Sequence, residues 1–327
     1  MIYPKEGFLP FYIEEESKLS SAQILSLVNQ ILVFFLLVGV GFLARKRKLL
    51  NDAIQVGISG LILNISIPAS ILAASDKLFE ADKLNNIVFI LIGSAVTMIG
   101  ATILSKFLAK GLKMNPREGT IFSNLVTYPN VAFIGYPVIK IFMPENGVFY
   151  ASFFVLVFNL LFFIYGIREV SGNKSFHLKS IFGHINTLAS LLMIVLYVFQ
   201  VKFPAPIKST LVMLGELSTP LSLIVIGSMM ACISLKDLFN RPILYLAAFL
   251  KLIAIPTVVF GLAKVLRLPL ESATVLLVMS ALPSASTVVI SAEKYNYEPL
   301  FASKGNLLST MLFLLTIFYV AFLQSFL

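Results

Sequence analysis

The stretch Thr127–Pro137, "TYPNVAFIGYP", decides how this chain is read. Two prolines, an asparagine and a glycine interrupt an otherwise apolar run. A proline inside a helix removes one backbone hydrogen bond, and its ring clashes with the preceding turn, at about 3 kcal/mol. In a bilayer the freed carbonyl finds no water, so a broken helix persists only where it faces protein or a wet cavity. The rest of the chain says that a bilayer is the surrounding medium. Of 327 residues, 58% are hydrophobic and only 13% charged, with a mean hydropathy of +0.93, too apolar for a soluble domain.

A bilayer core about 30 Å thick takes roughly 20 helical residues. Ten candidate spans meet that length, at 22–44, 52–74, 86–109, 118–142, 146–167, 181–201, 207–233, 240–266, 270–292 and 300–326. Counted from Arg117, Pro129 lies about 12 residues in, or roughly 18 Å, which is mid-membrane. The net charge of +9 would suggest a nucleic-acid partner in a soluble protein, but here the basic residues sit in short connections, and no nucleic acid is expected. They cluster after span one (Arg45 to Lys48), around the turn after span three (Lys106, Lys110, Lys113, Arg117) and after span five (Arg168, Lys174, Lys179). The positive-inside rule makes those connections cytoplasmic and both termini extracytoplasmic, in a multi-pass protein of the cell membrane. Residues 1–21 then form an outer tail without the pattern of a removable signal peptide, and 168–180 a short cytoplasmic loop. A single cysteine, Cys232, excludes an intramolecular disulfide framework.

The chain repeats itself. "LAKGLK" at Leu108–Lys113 returns as "LAKVLR" at Leu262–Arg267, and the same offset of 154 carries Pro129 onto Pro283. "NISIPASIL" in span two aligns with "ELSTPLSLI" in span seven, placing Pro68 over Pro220. With "YASFF" at 150 over "FASKG" at 301, four such matches in order divide the chain into a first repeat of five spans (22–167) and a second (181–327). Because five is odd, the second copy enters from the opposite side. The expected fold is therefore an all-α membrane protein of ten helices in an inverted repeat, with spans four and nine broken and crossing, and a binding site at the midplane between the copies.

Each break offers chemistry. The half-helix after Pro129 presents backbone amides and the positive end of its dipole, with Asn130 as its cap. The one after Pro283 does the same with Ser284 or Ser286. Two such ends converging would bind an anion. Gly135 either admits a close backbone or simply packs.

At these residues the sequence resembles the auxin efflux carrier family, the plant auxin exporters and their prokaryotic relatives. "PNVAFIGYP" is similar to that family's first crossover, "ALPSASTVVISAEKYNYEP" to its second, "ELSTPLSLIVIGSMMA" to its seventh span and "LLST" at 307 to its tenth. The resemblance covers nearly all ten spans and leaves out the first 20 residues. It implies a scaffold of spans one, two, six and seven, and a transport domain of the others that moves past it like an elevator. It also implies a homodimer, and a carboxylate substrate such as indole-3-acetate or a small organic acid. Carried over residue by residue, the implied site is Pro129, Asn130 and Pro283, with Lys251 in "FLKLIAIP" as the basic residue a turn before a proline. With their neighbours, the substrate-binding candidates are Thr127, Tyr128, Pro129, Asn130, Pro283, Ser284, Ser286 and Lys251. Only about 168–180 separates spans five and six, so the long regulatory loop of the plant members is missing.

Two charges lie near mid-depth by count, Glu216 in span seven and Lys251 in span eight. Burying a charge there costs at least about 2.5–3.5 kcal/mol. Either they pair with each other or Lys251 snorkels to an interface, or Lys251 is the counter-charge for a carboxylate. In that last case Glu216, aligned with Asn64 of the first repeat, is a proton acceptor or gate. Asn124, Asn159 and Asn306 serve helix packing or the site.

No carboxylate lies close to either break, so a sodium site finds little support, and the isolated His177 and His184 offer no metal cluster. Asp52, Asp76, Asp82 and Asp237 fall at span ends or in loops, where an intramembrane aspartyl protease would need a pair within spans. The sequence thus points to a cofactor-free secondary carrier of an organic anion and away from an enzyme, with an anion channel of the same architecture as the alternative.

Overall fold

The computed structural model describes residues 21–76, 81–172, 185–231 and 241–327. The residues before Ser21, most of the 168–180 loop, Cys232, His177, His184 and Asp237 lie outside the described residues. Within them every regular element is helical. Seven helices are long and apolar enough to cross a membrane: α1 (which contains Asn29–Lys46), α2 (Asp52–Ala73), α3 (which contains Lys83–Gly111), α6 (Gly147–Ser171), α8 (Ala205–Ala231), α9 (Pro242–Val265) and α12 (Pro299–Gln324). The other three expected spans are shorter or interrupted. Span four is α4 (Pro116–Thr127) followed by α5 (131–142), span six is α7 (Ile185–Val198), and span nine is α10 (Leu270–Ser280) followed by α11 (Ser286–Lys294).

Local sequence explains where these helices start and bend. The Asn51 side chain accepts from the amide of Ile54 to open α2, and that of Asn115 from Arg117 to open α4, whose first turn adds Pro116 and Glu118. Proline inside a span leaves one carbonyl without its amide. In three spans the helix widens into a single π-turn that ends two residues before the proline: Ile62–Ser66 before Pro68, Val131–Gly135 before Pro137, and Leu250–Ala254 before Pro256. Such a turn shifts the bonding register and absorbs the loss. Pro220 acts more sharply, and α8 is interrupted at Leu217.

The helices pack in two groups. In the first, α1 lies along the second half of α8, while the first half of α8 and α7 both pack on the end of α2 after Pro68. α1 and α8 cross with their backbones touching: a Cβ on Gly227 would sit 1.9 Å from the carbonyl oxygen of Val38, and one on Gly41 2.0 Å from that of Ile224. The second group holds α3 to α6 and α9 to α12. Here α3 packs on α4, α6 and α10, and α12 on α4, α9 and α11. Glu271 at the start of α10 ties this group together, accepting from Asn86 of α3 at 2.8 Å, Asn146 at 2.9 Å and Tyr150 of α6 at 2.7 Å. The groups meet chiefly where the second half of α8 faces α5.

Candidate functional site

The interruptions of spans four and nine meet. Tyr128, which precedes Pro129 and so is held out of the helical region, is extended at φ −94°, ψ 114°. Its carbonyl oxygen accepts from the amide of Ala285 at 2.8 Å, and the amide of Asn130 donates to the carbonyl of Pro283 at 2.7 Å. Pro129 and Ser284 thus face each other as one antiparallel bridge between two helix breaks.

Several of the backbone groups at the breaks find partners in other elements. Leu125 would bond the amide that Pro129 lacks, and its oxygen instead accepts from the Ser284 hydroxyl at 2.7 Å. The carbonyl of Thr127, at the end of α4, accepts from the Lys251 ammonium at 3.3 Å, and that of Ser284 from Asn306 at 2.5 Å. The amide of Ser284 donates to the Ser309 hydroxyl at 3.0 Å. A buried backbone without water requires such partners.

The amides of the two N-cap residues, Asn130 and Ala285, are spent on the opposite strand. Asn130 is the cap of its half-helix, its side-chain oxygen accepting from Phe133 at 3.4 Å. Neither serine caps α11. Ser284 serves Leu125, Ser286 accepts from the Asn130 side-chain amide at 3.1 Å, and the N-cap position falls on Ala285, which has no polar side chain.

Asn130 and Ser286 face a cavity of about 430 Å³. Asn64 of α2 reaches it from the other group of helices. Phe133, Phe158, Phe162 and Tyr295 give it aromatic walls, and Lys294, the last residue of α11, stands in its lining. The Lys294 ammonium lies 5.5 Å from the centre of the Tyr295 ring and makes no ion pair among the described residues. Thr287, also in the lining, has a buried hydroxyl with no hydrogen-bond partner. A cavity of this volume, with apolar walls and a few converging polar groups, suits one small organic molecule.

The sequence candidates fall into separate places. Asn130, Ser286 and Asn64 come together at the cavity. Pro129, Pro283 and Ser284 build the crossing beside it. Thr127 and Tyr128 turn their side chains elsewhere, Thr127 to the Thr102 hydroxyl at 3.1 Å and Tyr128 to the Leu161 carbonyl at 3.2 Å, its ring set edge-on to Phe158 and Phe162. Lys251, 2% exposed, is absent from the cavity lining and stands at the carbonyl end of α4. Glu216 is exposed, and the charge it acts on is Lys140 rather than Lys251. Lys251 therefore neither pairs with Glu216 nor snorkels. Gly135 packs against side chains, those of Leu282 and Met279.

Asn124, Asn159 and Asn306 each bond across helices, to Gly166, Thr187 and Ser284. Sequence reading missed Lys294 and Thr287 as cavity groups, although Lys294 shows one signal: it lies in the half-helix that follows Pro283.

Comparison with known proteins points to transporters. An uncharacterized transporter of Methanocaldococcus jannaschii is 25% identical over 305 residues, an alignment that spans 89% of this chain and 96% of the relative. The profile of the family described as membrane transport protein matches residues 26–320. With nearly all its helices inside that match, the chain belongs to the membrane transport protein family, the auxin efflux carrier type of transporter.

Proposed function

We propose that this transporter carries a small organic anion, a carboxylate on an apolar or aromatic body, and that the anion binds between Asn130, Ser286 and Lys294. The observation that carries this reading is the cavity at the crossing. Aromatic rings form its walls, an ammonium with no ion pair among the described residues supplies the charge, and the Asn130 amide and the Thr287 hydroxyl supply donors. An apolar body fits the rings, and a carboxylate fits a lysine and neutral donors.

In this reading the two repeats are inverted copies forming ten spans. The second helix group, which holds the crossing, slides as one body past α1, α2, α7 and α8 in an elevator motion. The packing division supports that assignment, as does the cavity itself, which has Asn64 on one side and Asn130 with Ser286 on the other. Homodimer formation and extracytoplasmic termini belong to the same proposal.

The test is uptake of radiolabelled indole-3-acetate and of short-chain organic acids into proteoliposomes holding purified protein. Saturable uptake of at least one acid is expected, with Asn130→Ala raising the half-saturating concentration several-fold. Wild-type transport kinetics in a folded Asn130→Ala protein would remove the crossing from the mechanism. Currents far above carrier turnover would assign the same architecture to a channel.

A further inference from the structure

The offset of 154 that carries Pro129 onto Pro283 also carries Lys140 onto Lys294. Each half-helix beyond a break therefore carries a lysine in its last turn, at the same distance from its proline. Lys294 lines the cavity at the crossing. Lys140 lines a second crevice, of about 570 Å³, bounded by Val33 and Phe34 of α1, Pro137 of α5, and Thr219 and Leu223 of α8.

The two spaces lie toward opposite ends of the helix bundle. Lys140 is in the last turn of α5, just before α6 begins at Gly147, whereas the cavity of Lys294 runs along α6 as far as Ile167 near its other end. Both spaces sit between the same two helix groups. In the crevice the Thr219 hydroxyl is buried with no hydrogen-bond partner. Lys140 makes no ion pair among the described residues, and Glu216 is the charge that acts on it.

We propose that Lys140 and Lys294 are a repeat-related pair of anion-receiving groups, one for each side of the membrane. Each attracts the carboxylate of the carried anion into its own crevice on the way to or from Asn130 and Ser286. This rests on the carrier reading above. A repeat inverted about the midplane places equivalent residues at equal depth on opposite sides, so a charge useful for entry from one side has a counterpart for the other. Glu216 offsets the Lys140 charge in this arrangement, leaving the crevice of Lys294 the more attractive to anions.

The inference is tested without knowing the substrate. In a Cys232→Ser background, Thr219→Cys reports on the Lys140 crevice and Ile290→Cys on the Lys294 cavity. The probes are a negatively charged sulfonatoethyl methanethiosulfonate and a neutral methanethiosulfonate, applied to purified protein in nanodiscs. A lysine several ångströms from the reporter in a wet crevice should favour the anionic reagent by about three- to tenfold. Lys140→Gln should abolish that preference at position 219 and leave 290 unchanged, and Lys294→Gln should do the reverse. The Lys→Arg versions should retain the preference, which separates charge from misfolding, and Glu216→Gln should increase it at 219.

Equal preferences with and without the local lysine, or a Thr219→Cys that neither reagent reaches, would overturn the proposal. If the local preferences respond as expected while no organic acid is transported, the paired lysines stand and the substrate reading falls. If an acid is transported and the preferences do not respond, the lysine pair alone falls.

Discussion

Replacing Lys251 with methionine separates two roles a buried lysine could have. The residue is 2% exposed, and its ammonium donates to the Thr127 carbonyl at 3.3 Å, at the end of the 12-residue helix α4. A hydrogen bond from a charged donor contributes about 1.5–3 kcal/mol, and at 3.3 Å the lower end applies. The cation at a helix carboxyl end adds up to about 2 kcal/mol. Against this, holding a lysine at the centre of a span costs about 2.5–3.5 kcal/mol. Gain and cost nearly cancel for the charge itself, so Lys251→Met, which keeps the apolar stem but leaves the Thr127 carbonyl without its donor, should cost about 1–3 kcal/mol. Lys251→Ala also leaves a void and should cost about 2–5 kcal/mol.

The chain has no tryptophan, so unfolding is followed by circular dichroism at the helical band. Lys251 is absent from the cavity lining, so the half-saturating concentration for the transported acid should stay within about threefold in Lys251→Met. A tenfold rise would correspond to about 1.4 kcal/mol of lost binding and would show that the Lys251 charge reaches the ligand. Loss of more than about 3 kcal/mol of stability in the methionine variant would refute the near-cancellation.

Gly227→Ala should force α1 and α8 apart, since its Cβ would lie 1.9 Å from a backbone oxygen. Overpacking of about 1–3 kcal/mol should lower the thermal midpoint by about 2–10 °C, and an unchanged midpoint would mean the two backbones do not touch. Gly135→Ala meets only the flexible tips of Leu282 and Met279, at 3.0 and 3.2 Å, and should shift the midpoint much less. The ranking of the two glycines by thermal scan is the check. Asn306→Ala strips the Ser284 carbonyl of its donor and should cost about 1–3 kcal/mol as an unsatisfied buried acceptor. A midpoint equal to wild type would mean another donor moves in.

The hydropathy of the chain displays the positions of the spans, and Pro129 and Pro283 mark their breaks, because both are one-dimensional properties. Counting residues along the spans put Lys251 and Glu216 near the middle of theirs. Counting does not give the direction in which a side chain leaves its helix. Lys251 and Lys294 both lie in apolar helices, yet one points to the end of α4 and the other into the cavity. The same limit hid the fate of the freed backbone groups. A proline announces that the Leu125 carbonyl loses its amide, but the replacement, a serine hydroxyl 159 residues away, depends on two breaks meeting in space. The π-turns before Pro68, Pro137 and Pro256 follow a local rule and were open to inference, whereas the one at Phe162–Gly166 has no proline after it and no physical account.

The way the breaks are joined bears on how an anion could cross. α4 and α5 are tied to α10 and α11 by two backbone hydrogen bonds, by the Ser284 hydroxyl and by the bond from Asn130 to Ser286. Opening a path straight through the crossing would break several of these at once inside the membrane, where each lost partner is expensive. The boundary between the two helix groups is different. It holds the two spaces named above, each with a lysine, and Asn64 and Thr219 face the second helix group from α2 and α8. Sliding along that boundary keeps every bond of the crossing while exchanging which crevice reaches Asn130. The crossing therefore favours a carrier whose site moves intact over a pore whose site opens, and a crosslink from Asn64→Cys to Ser286→Cys in a Cys232→Ser background should stop transport. Transport at full rate through a verified crosslink would exclude the sliding motion.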